Sequence, residues 1–302
     1  MNNALTLGYI GLGLMGKPMA MNLLKAGFPL VVHNRSEQAV QKLVQVGAQK
    51  AASPKEVAEQ VDIVFTNLPD SPDVELVALG KNGIIEGAHE NLVFIDHSTI
   101  KPASARLIAK ELAQKGVAAL DAPVSGGEIG AQQGSLTIMV GGDAKALERA
   151  RPALEAEGKT ITHIGEPGAG QVAKCCSQIM VAAQMTALGE LLIFARKAGA
   201  DPQRVVEAIR GGAAQCWTLD NKPTRLFAGN REPGFKAYMQ AKDLGIVMDT
   251  AREYGMPLPA AGTNTQLFEA MLQMGMAELD NSAVVGVLEA LSGTELLAER
   301  RD

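Results

Sequence analysis

Three glycines at the spacing G-x-G-x-x-G follow directly on an apolar run near the start of the chain. They are Gly11, Gly13 and Gly16, and apolar residues at helical spacing come after them, which is the strand–turn–helix order of a dinucleotide-binding loop. Gly11 would allow a tight turn, Gly13 would let backbone N–H groups approach a pyrophosphate, and Gly16 would let the helix pack against the strand. Leu14 and Met15 belong to the same turn. A chain with 32 glycines can contain such a turn without a ligand, but this context predicts a dinucleotide.

The residues after the second predicted strand indicate which dinucleotide would bind. An NAD site usually has an acidic residue there, which binds the ribose 2′-hydroxyl. This chain has Asn34, Arg35 and Ser36 instead. The guanidinium could hold a 2′-phosphate by two hydrogen bonds and stack on adenine, with a hydroxyl beside it. We therefore expect NADP(H) rather than NAD(H); the alternative is that Arg35 is an ordinary solvated residue.

A hydroxyl group and two glycines follow one another after a later apolar run. In the sequence D-A-P-V-S-G-G, Ser125, Gly126 and Gly127 could offer one O–H and two backbone N–H groups in an open turn. Such a turn binds anions, and we expect it to suit a carboxylate. A plain turn at the end of a strand is the alternative.

A lysine stands alone in an apolar stretch of the second half. Lys174, Ser177 and Gln178 are spaced i, i+3 and i+4, so a helix would place them on one face. A partly desolvated ammonium has a lowered pKa, which suits a proton donor that works near neutral pH. We interpret Lys174 as a proton donor facing a cleft between two domains. The alternative is a surface lysine whose charged end reaches solvent.

A third segment contains Phe235 followed by Lys242 and Asp243. A lysine beside an aspartate is as often a surface pair as part of a site, so these residues alone decide nothing.

The histidines, cysteines and serines fit neither a metal site nor a nucleophile motif. The four histidines have no paired spacing, and the three cysteines include no C-x-x-C. Ser125 lacks the first glycine of a G-x-S-x-G nucleophile elbow. We expect no metal, and we expect the cysteines to lie in a reducing compartment.

Strands and helices alternate in the first half of the chain, and these elements would position the residues above. Apolar runs predict strands at 5–10, 30–33, 63–67, 92–96, 118–120, 136–140 and 160–164. Helical patterns lie between several of them, at 15–26, 37–46, 54–60, 103–115 and 144–156. Residues 1–165 are therefore predicted to form a Rossmann-type, doubly wound and mostly parallel α/β sheet that binds NADP(H) at the carboxyl ends of its strands.

The pattern becomes helical after residue 165. One long helix is predicted at 171–198, and others at 202–210, 238–253, 260–274 and 282–291. Residues 166–302 are expected to form an all-α domain for substrate binding and dimerisation, entered by the long interdomain helix. Because so long a helix needs packing on both sides, we expect a homodimer or homotetramer.

Composition and charge exclude several classes of protein. With 302 residues, 47% hydrophobic and 20% charged, the chain has the balance of a soluble globular protein of two domains. A net charge of −5 argues against a nucleic-acid partner, which would need a basic face. No run approaches 18 apolar residues, and the N-terminus lacks a basic region before a long apolar segment. We expect no membrane span and a cytoplasmic location.

Four motifs together resemble those of the β-hydroxyacid dehydrogenase family. They are G-x-I-G-L-G-x-M-G at 8–16, D-A-P-V-S-G-G at 121–127, G-A-G-x-x-x-K at 168–174, and F-x7-D with K-D-L at 235–244. They occur in the family's order and spacing over nearly the whole chain, and the combination is highly specific. The resemblance implies hydride transfer between a nicotinamide dinucleotide and a small β-hydroxy acid or its semialdehyde.

The resemblance also implies roles for individual residues. Lys174 would be the catalytic lysine, with Ser125, Gly126 and Gly127 binding the substrate carboxylate. Further substrate contacts would be Gln178, Phe235 and Asp243. Cofactor contacts beyond the glycine loop would be Asn67, Leu68, Pro69, Thr99 and Lys242. Asn34, Arg35 and Ser36 resemble the NADP-preferring members, since NAD-preferring members usually carry Asp at or near residue 34.

The substrate is expected to be a small carboxylate-bearing aldehyde or hydroxy acid. Gln178, Arg210 with its two following glycines, and residues 128–130 resemble the members that reduce tartronate semialdehyde (2-hydroxy-3-oxopropionate), and this resemblance implies reduction of that aldehyde to D-glycerate. Ser177 and Trp217 depart from that pattern, and Trp217 resembles enzymes of the hydroxyisobutyrate type. The alternatives are a 3-hydroxyisobutyrate dehydrogenase and a glyoxylate/succinic semialdehyde reductase. An imine reductase is another alternative, but such an enzyme would usually have a different residue in place of Lys174. A non-enzymatic NADP-binding sensor or chromatin-linked module would be expected to lack the lysine or to have an added basic or reader domain, and the sequence shows neither feature.

Overall fold

A computed structural model describes residues 5–297, and the chain divides into one unit that ends at Lys174 and a second that begins at Cys175. The strands of the first unit are β1 Leu7–Ile10, β2 Leu30–His33, β3 Gln49–Lys50, β4 Ile63–Thr66, β5 Val93–Asp96, β6 Ala118–Asp121, β7 Val124–Ser125, β8 Leu136–Gly142 and β9 Gly158–Gly165. Its helices are α1 Gly16–Lys25, α2 Glu37–Val44, α3 Pro54–Ala58, α4 Ser71–Leu79, α5 Ile84–Gly87, α6 Pro102–Ala113, α7 Gly127–Gln133 and α8 Ala144–Glu157. The sequence does not predict β3, β7, α5 or α7, because elements this short complete too few periods to show a pattern. It does not predict α4 either, since the nine residues of this helix place apolar side chains on its exposed side (Leu76) as well as on its buried side (Val74).

The nine strands found among the described residues form a single sheet. From β3 the order is β3-β2-β1-β4-β5-β6, and all these pairs are parallel. Beyond β6 the sheet is mixed: β6 and β7 pair antiparallel with successive parts of β8, whose other edge pairs parallel with β9. The strand order reverses between β1 and β4, which is where open α/β sheets bind ligands.

Residues of the central strands alternate between two separate cores. On β4, Ile63 and Phe65 pack with Leu23 of α1 on one face of the sheet. Val64, between them, packs with Ile108 of α6 on the other face. Helices therefore cover both faces, and the predicted doubly wound Rossmann fold is confirmed.

A buried ion pair lies beneath the carboxyl end of β5. His97 Nε2 lies 3.1 Å from Glu157 Oε2, and neither side chain is exposed. His97 Nδ1 lies 2.7 Å from the Ala122 carbonyl oxygen, and its ring stacks on Phe65. Burial disfavours the charged imidazole, but the charge and hydrogen bond of Glu157 outweigh it and raise the pKa of His97.

The second unit is helical. Helix α9, Ala169–Lys197, crosses the boundary, and α10 Pro202–Ile209, α11 Trp217–Asn221, α12 Pro223–Phe227, α13 Ala237–Glu253, α14 Pro259–Gln273 and α15 Val285–Ser292 follow it, with a 3-10 helix at Asn281–Val284. Within residues 175–297, strand-type pairing is confined to one bridge, between Lys236 and Asp280. Phe268 and Met271 of α14 pack with Leu244 of α13. The predicted all-α second part is confirmed, although the sequence does not predict α11 and α12, which have five residues each.

Helix α9 is long and apolar enough to cross a membrane by length and composition alone. Half of its most apolar 18-residue window is nevertheless buried inside the protein. The core helix of a soluble protein passes the same test, so this helix is weak evidence for a membrane span.

Glu157→Gln should destabilise the fold by about 3 kcal/mol at pH 6, because it leaves a buried imidazolium without its counter-charge. Since Glu157 raises the pKa of His97, the pair stabilises the fold at low pH, and this contribution is lost as the pH rises through the folded-state pKa. The substitution should therefore lower the free energy of unfolding by less at pH 9 than at pH 6. Urea unfolding at the two pH values measures the difference.

Glu148→Gln, in an exposed pair with Arg151, is the control and should change the free energy of unfolding little. An equal loss at both pH values would contradict a charged His97.

Candidate active site

The glycine loop after β1 has the geometry that its sequence predicts. Gly11 has a φ of +98°, and a Cβ there would overlap the carbonyl oxygen of Asn67. A Cβ on Gly16 would overlap the carbonyl oxygen of Gly11, so α1 packs directly on the turn. Gly13 is exposed, and no described heavy atom lies within 4 Å of where its Cβ would be. The loop is thus tightly packed beneath and open above, as a backbone that receives a pyrophosphate must be.

The segment after β2 presents a guanidinium and a hydroxyl to solvent. Asn34 Oδ1 accepts from the Leu12 N–H at 3.0 Å, so this side chain holds the glycine loop. The Arg35 side chain is 84% exposed, and its nearest carboxylate, Asp73, is 3.7 Å away. Ser36 precedes α2, and its side chain caps no N–H group of that helix. Arg35 and Ser36 are therefore available to an anionic ligand at this end of the loop.

A cavity of about 430 Å³ adjoins the loop on the side of α1 and α2. Gly13, Ser36, Lys17, Lys25 and Lys42 are among its lining residues. Glu128 also lines the cavity, so three ammonium groups stand against one carboxylate, and this excess of positive charge favours a negatively charged occupant. The part of the chain that the structure describes holds no group of three or more His, Cys, Asp or Glu that could bind a metal ion.

The segments after β4 and β5 are fixed by one buried carboxylate. Asp96 Oδ1 accepts from the hydroxyls of Thr66 at 2.7 Å and Ser98 at 2.5 Å. The Ser98 hydroxyl oxygen accepts in turn from the Leu68 N–H at 2.8 Å. Burial raises the pKa of Asp96. This network positions the segment containing Asn67, Leu68 and Pro69 beside the one containing Thr99, next to the glycine loop.

Lys174 lies against the serine–glycine turn. Its side chain is 7% exposed, and Nζ donates to the Val124 carbonyl oxygen at 2.9 Å. Ser125 follows at the end of β7, while Gly126 and Gly127 begin α7 with φ values of +138° and +62°. Lys174 is thus a buried ammonium beside the predicted carboxylate cradle and not a solvated surface lysine.

In the second unit, three predicted residues lie in one cluster, in which Gln178 and Asp243 are buried and Lys242 is partly exposed. Gln178 Nε2 donates to Asp243 Oδ2 at 2.6 Å, and both side chains are almost fully buried. Lys242 Nζ forms an ion pair with Asp243 Oδ1 at 2.8 Å. The lysine–aspartate pair is therefore an internal contact of this unit.

Phe235 is positioned by a second buried ion pair. Asp280 Oδ2 accepts from the Gly234 N–H at 2.9 Å and the Phe235 N–H at 3.3 Å, and Asp280 Oδ1 lies 2.7 Å from Lys222 Nζ. Burial disfavours the charged carboxyl, but Lys222 and the hydrogen-bond donors outweigh it and lower the pKa of Asp280. Lys222 Nζ also lies 5.8 Å from the centre of the Trp217 ring. The ion pair of Lys222 and Asp280 therefore contacts Trp217 through its lysine and the Phe235 backbone through its aspartate.

Sequence reasoning assigns no role to several residues that organise this geometry, namely Asp96, Ser98, Asp121, Gln171 and Asp280. The available signal was weak. Asp96 and Asp121 each end an apolar strand, and Gln171 is polar in the first turn of an apolar helix.

Two family models cover most of the chain. The model for the NAD binding domain of 6-phosphogluconate dehydrogenase matches residues 6–165, and the model for the NAD-binding part of NADP-dependent 3-hydroxyisobutyrate dehydrogenase matches residues 168–288. The 2-hydroxy-3-oxopropionate reductase of Escherichia coli is 41% identical over 96% of this chain and 99% of its own length. The chain belongs to the β-hydroxyacid dehydrogenase family.

Other relatives of this β-hydroxyacid dehydrogenase carry different names. An NAD-dependent L-serine dehydrogenase of Pseudomonas aeruginosa is 38% identical over 95% of this chain and 99% of its own length. The solved structure of Mycobacterium tuberculosis 3-hydroxyisobutyrate dehydrogenase with L-serine superposes with a TM-score of 0.87, at 33% identity over 94% of this chain and 99% of that one. This β-hydroxyacid dehydrogenase is therefore an NAD(P)-dependent oxidoreductase with the fold that the family shares.

Proposed function

We propose that this enzyme uses NADPH to reduce tartronate semialdehyde to D-glycerate. The observation that carries the proposal is the buried Lys174 ammonium, held at the Val124 carbonyl oxygen beside the turn of Ser125, Gly126 and Gly127. An ammonium and a turn with one hydroxyl and two glycine N–H groups lie together there, and they would serve as the proton donor and the anion cradle for reduction of an aldehyde that carries a carboxylate. The likeness to the Escherichia coli reductase supports the choice of substrate.

The proposed cofactor contacts follow the carboxyl ends of β1, β2, β4 and β5. The open loop at Gly13, with Gly11, Leu14, Met15 and Gly16, would hold the pyrophosphate, and Arg35 with Ser36 would hold a 2′-phosphate. Asn34 would keep the loop in shape through the Leu12 N–H. The nicotinamide end would contact Asn67, Leu68, Pro69 and Thr99. When bound, NADPH supplies the hydride that reduces the aldehyde carbon.

The protein's own part in the reaction is to bind, orient and protonate. Ser125 and the backbone N–H groups of Gly126 and Gly127 would hold the substrate carboxylate. Lys174 Nζ would give its proton to the aldehyde oxygen, and in the reverse direction it would take the proton back. From the family resemblance, Gln178, Phe235 and Asp243 are proposed substrate contacts and Lys242 a proposed cofactor contact.

A second candidate reaction is the oxidation of 3-hydroxyisobutyrate. Trp217 favours it, because its indole is 59% exposed and is anchored through Lys222 to the ion pair that positions Phe235. A bulky apolar group near Phe235 would suit a substrate with a methyl branch better than one with a hydroxyl.

Initial rates with a panel of aldehydes test the reaction. With NADPH, tartronate semialdehyde should have a kcat/KM at least about tenfold above methylmalonate semialdehyde, succinic semialdehyde and glyoxylate, because each differs from it by a group that the site must bind. A preference for methylmalonate semialdehyde would favour the second candidate. No turnover of any of the four would overturn the proposed function.

Lys174→Met should lower kcat by about 10²- to 10⁴-fold, because it removes the proton donor while keeping an unbranched side chain. The KM for NADPH should change little, since Lys174 is not among the proposed cofactor contacts and its Nζ donates to the Val124 carbonyl oxygen. Steady-state kinetics measure both constants, and thermal unfolding checks that the variant folds. Lys110→Ala, on the exposed side of α6, is the control. Turnover near the wild-type rate in Lys174→Met would contradict the mechanism.

Arg35→Ala should raise the KM for NADPH about tenfold or more and leave the KM for NADH almost unchanged. The expected size corresponds to the loss of one charge-assisted hydrogen bond, about 1.5–3 kcal/mol. The ratio of kcat/KM for the two cofactors is the measurement. Arg151→Ala, which removes an exposed arginine paired with Glu148, is the matched control. Equal effects on both cofactors would show that Arg35 does not select the 2′-phosphate.

A further inference from the structure

One buried carboxylate closes the first turn of the helix that carries Lys174. Asp121 ends β6 and is 6% exposed. Its Oδ1 accepts from the Gly168 N–H at 2.7 Å, and its Oδ2 accepts from the Gln171 N–H at 2.8 Å. Both N–H groups belong to the start of α9, which has no earlier turn to satisfy them. Lys174 follows Gln171 by three residues.

The start of α9 packs directly against the sheet, backbone to backbone, and this close contact fixes its position. A Cβ on Gly170 would overlap the carbonyl oxygens of Asp121 and Met139, and a Cβ on Gly141 would lie 2.5 Å from Asp121 Oδ1. Only glycine at residues 141 and 170 leaves room for this approach.

The Gln171 side chain bonds the same turn to the segment that follows β5. Its Oε1 accepts from the Ile100 N–H at 3.1 Å, and its Nε2 donates to the Ser98 carbonyl oxygen at 2.8 Å. Thr99 lies between these two anchor points. The first turn of α9 is therefore bonded both to the end of β6 and to the segment after β5.

We propose that Asp121 is a positioning residue, whose ionised carboxylate fixes the first turn of α9 and so holds Lys174 Nζ beside the turn at residues 125–127. The inference rests on the proposed role of Lys174 as proton donor. A neutral acid at residue 121 would keep only one strong acceptor oxygen for two N–H groups, and the helix start would loosen.

The surroundings of Asp121 raise the pH at which it ionises. Burial raises the pKa of Asp121 to about 6 against its backbone hydrogen bonds, and Asp96 adds to the rise. Asp96 and Asp121 both line a void of about 10 Å³, and Asp96 Oδ2 has no hydrogen-bond partner among the described residues. The other ionisable groups nearby are His97, bonded to the Ala122 carbonyl, Arg106 beside Gly168, and Lys174 itself.

The sign of the pH effect separates Asp121 from Lys174. Asp121 is charged above pH of about 6 and becomes neutral as the pH falls, so its protonation would reduce activity on the acid side. A proton donor must be protonated to work, so its titration reduces activity on the alkaline side. A fall in the rate of aldehyde reduction as the pH is lowered, the acid limb of the pH profile, therefore reports on a group other than Lys174.

The test is Asp121→Asn in the full chain, with rates of tartronate semialdehyde reduction by NADPH measured from pH 5 to 8.5. Wild-type kcat should fall as the pH drops through about 6. Asp121→Asn should have a kcat about tenfold lower at pH 7.5, because Lys174 is less well positioned, and no fall near pH 6. Its KM for NADPH should stay within about twofold of the wild-type value.

Asp143→Asn is the matched control, because Asp143 caps α8 by accepting from the Ala146 N–H at 2.8 Å. It should keep the wild-type pH profile. Hydrogen exchange of residues 166–174, corrected for intrinsic exchange rates, gives a readout independent of turnover. Exchange should increase from pH 7.5 to 5.5 in the wild type and be fast at both values in Asp121→Asn.

An acid limb or an exchange pattern that Asp121→Asn leaves unchanged would overturn the inference while the proposed function stands. An acid limb that disappears in Asp96→Asn but not in Asp121→Asn would overturn it too. Turnover retained by Lys174→Met would instead overturn the proposed function, and this inference with it.

Discussion

Close approach of backbone to backbone at the carboxyl end of the sheet is the constraint on which the rest of the first unit depends. It occurs twice. Gly16 lets α1 start against the Gly11 carbonyl, and Gly170 lets α9 start against the carbonyls of Asp121 and Met139. At both places a single methyl group would force the chains apart. One contact shapes the loop proposed for the cofactor, and the other fixes the helix that carries Lys174, so two distant segments of sequence are set against one rigid sheet.

Buried charged side chains also fix the positions of loops in this protein. Taking a carboxylate or an imidazolium out of water is costly unless bonded partners replace the lost hydration. Asp280 meets that condition with backbone N–H groups, a hydroxyl and a lysine, and its pKa is lowered. At Asp96 and Asp121 the hydrogen bonds offset only part of the cost, and burial raises the pKa of both. Glu157 is paired with His97. Each pair or network is directional, so it fixes a loop end where apolar packing alone would allow sliding. The segments fixed in this way are those to which the sequence assigns chemistry.

The fold could be predicted from the sequence where a pattern repeats, and the site where residue type alone limits the chemistry. Strand and helix periods identify the sheet, and the glycine spacing, the serine–glycine turn and Lys174 mark the candidate site. Asp121 and Gln171 could not be found in this way, because they bond to backbone groups, which every residue carries. Asp121 accepts from the backbone N–H of Gly168, 47 residues later in the sequence. Nothing in the residue type at position 168 indicates that its N–H has this partner. The short helices α11 and α12 are missed for a related reason, since their place depends on packing and not on a period.

The buried pair of Lys222 and Asp280 shows how burial and a counter-charge act together on groups that hold a loop in place. Lys222 Nζ lies 2.7 Å from Asp280 Oδ1, and this carboxylate favours the charged ammonium. Burial nevertheless outweighs the carboxylate and lowers the pKa of Lys222, whereas Lys222 and the hydrogen-bond donors lower the pKa of Asp280. The pair therefore keeps Asp280 ionised as the acceptor that positions the Phe235 N–H. Lys174 is positioned by the main chain: its Nζ donates to the Val124 carbonyl oxygen, so the backbone that leads into the serine–glycine turn sets where this ammonium lies.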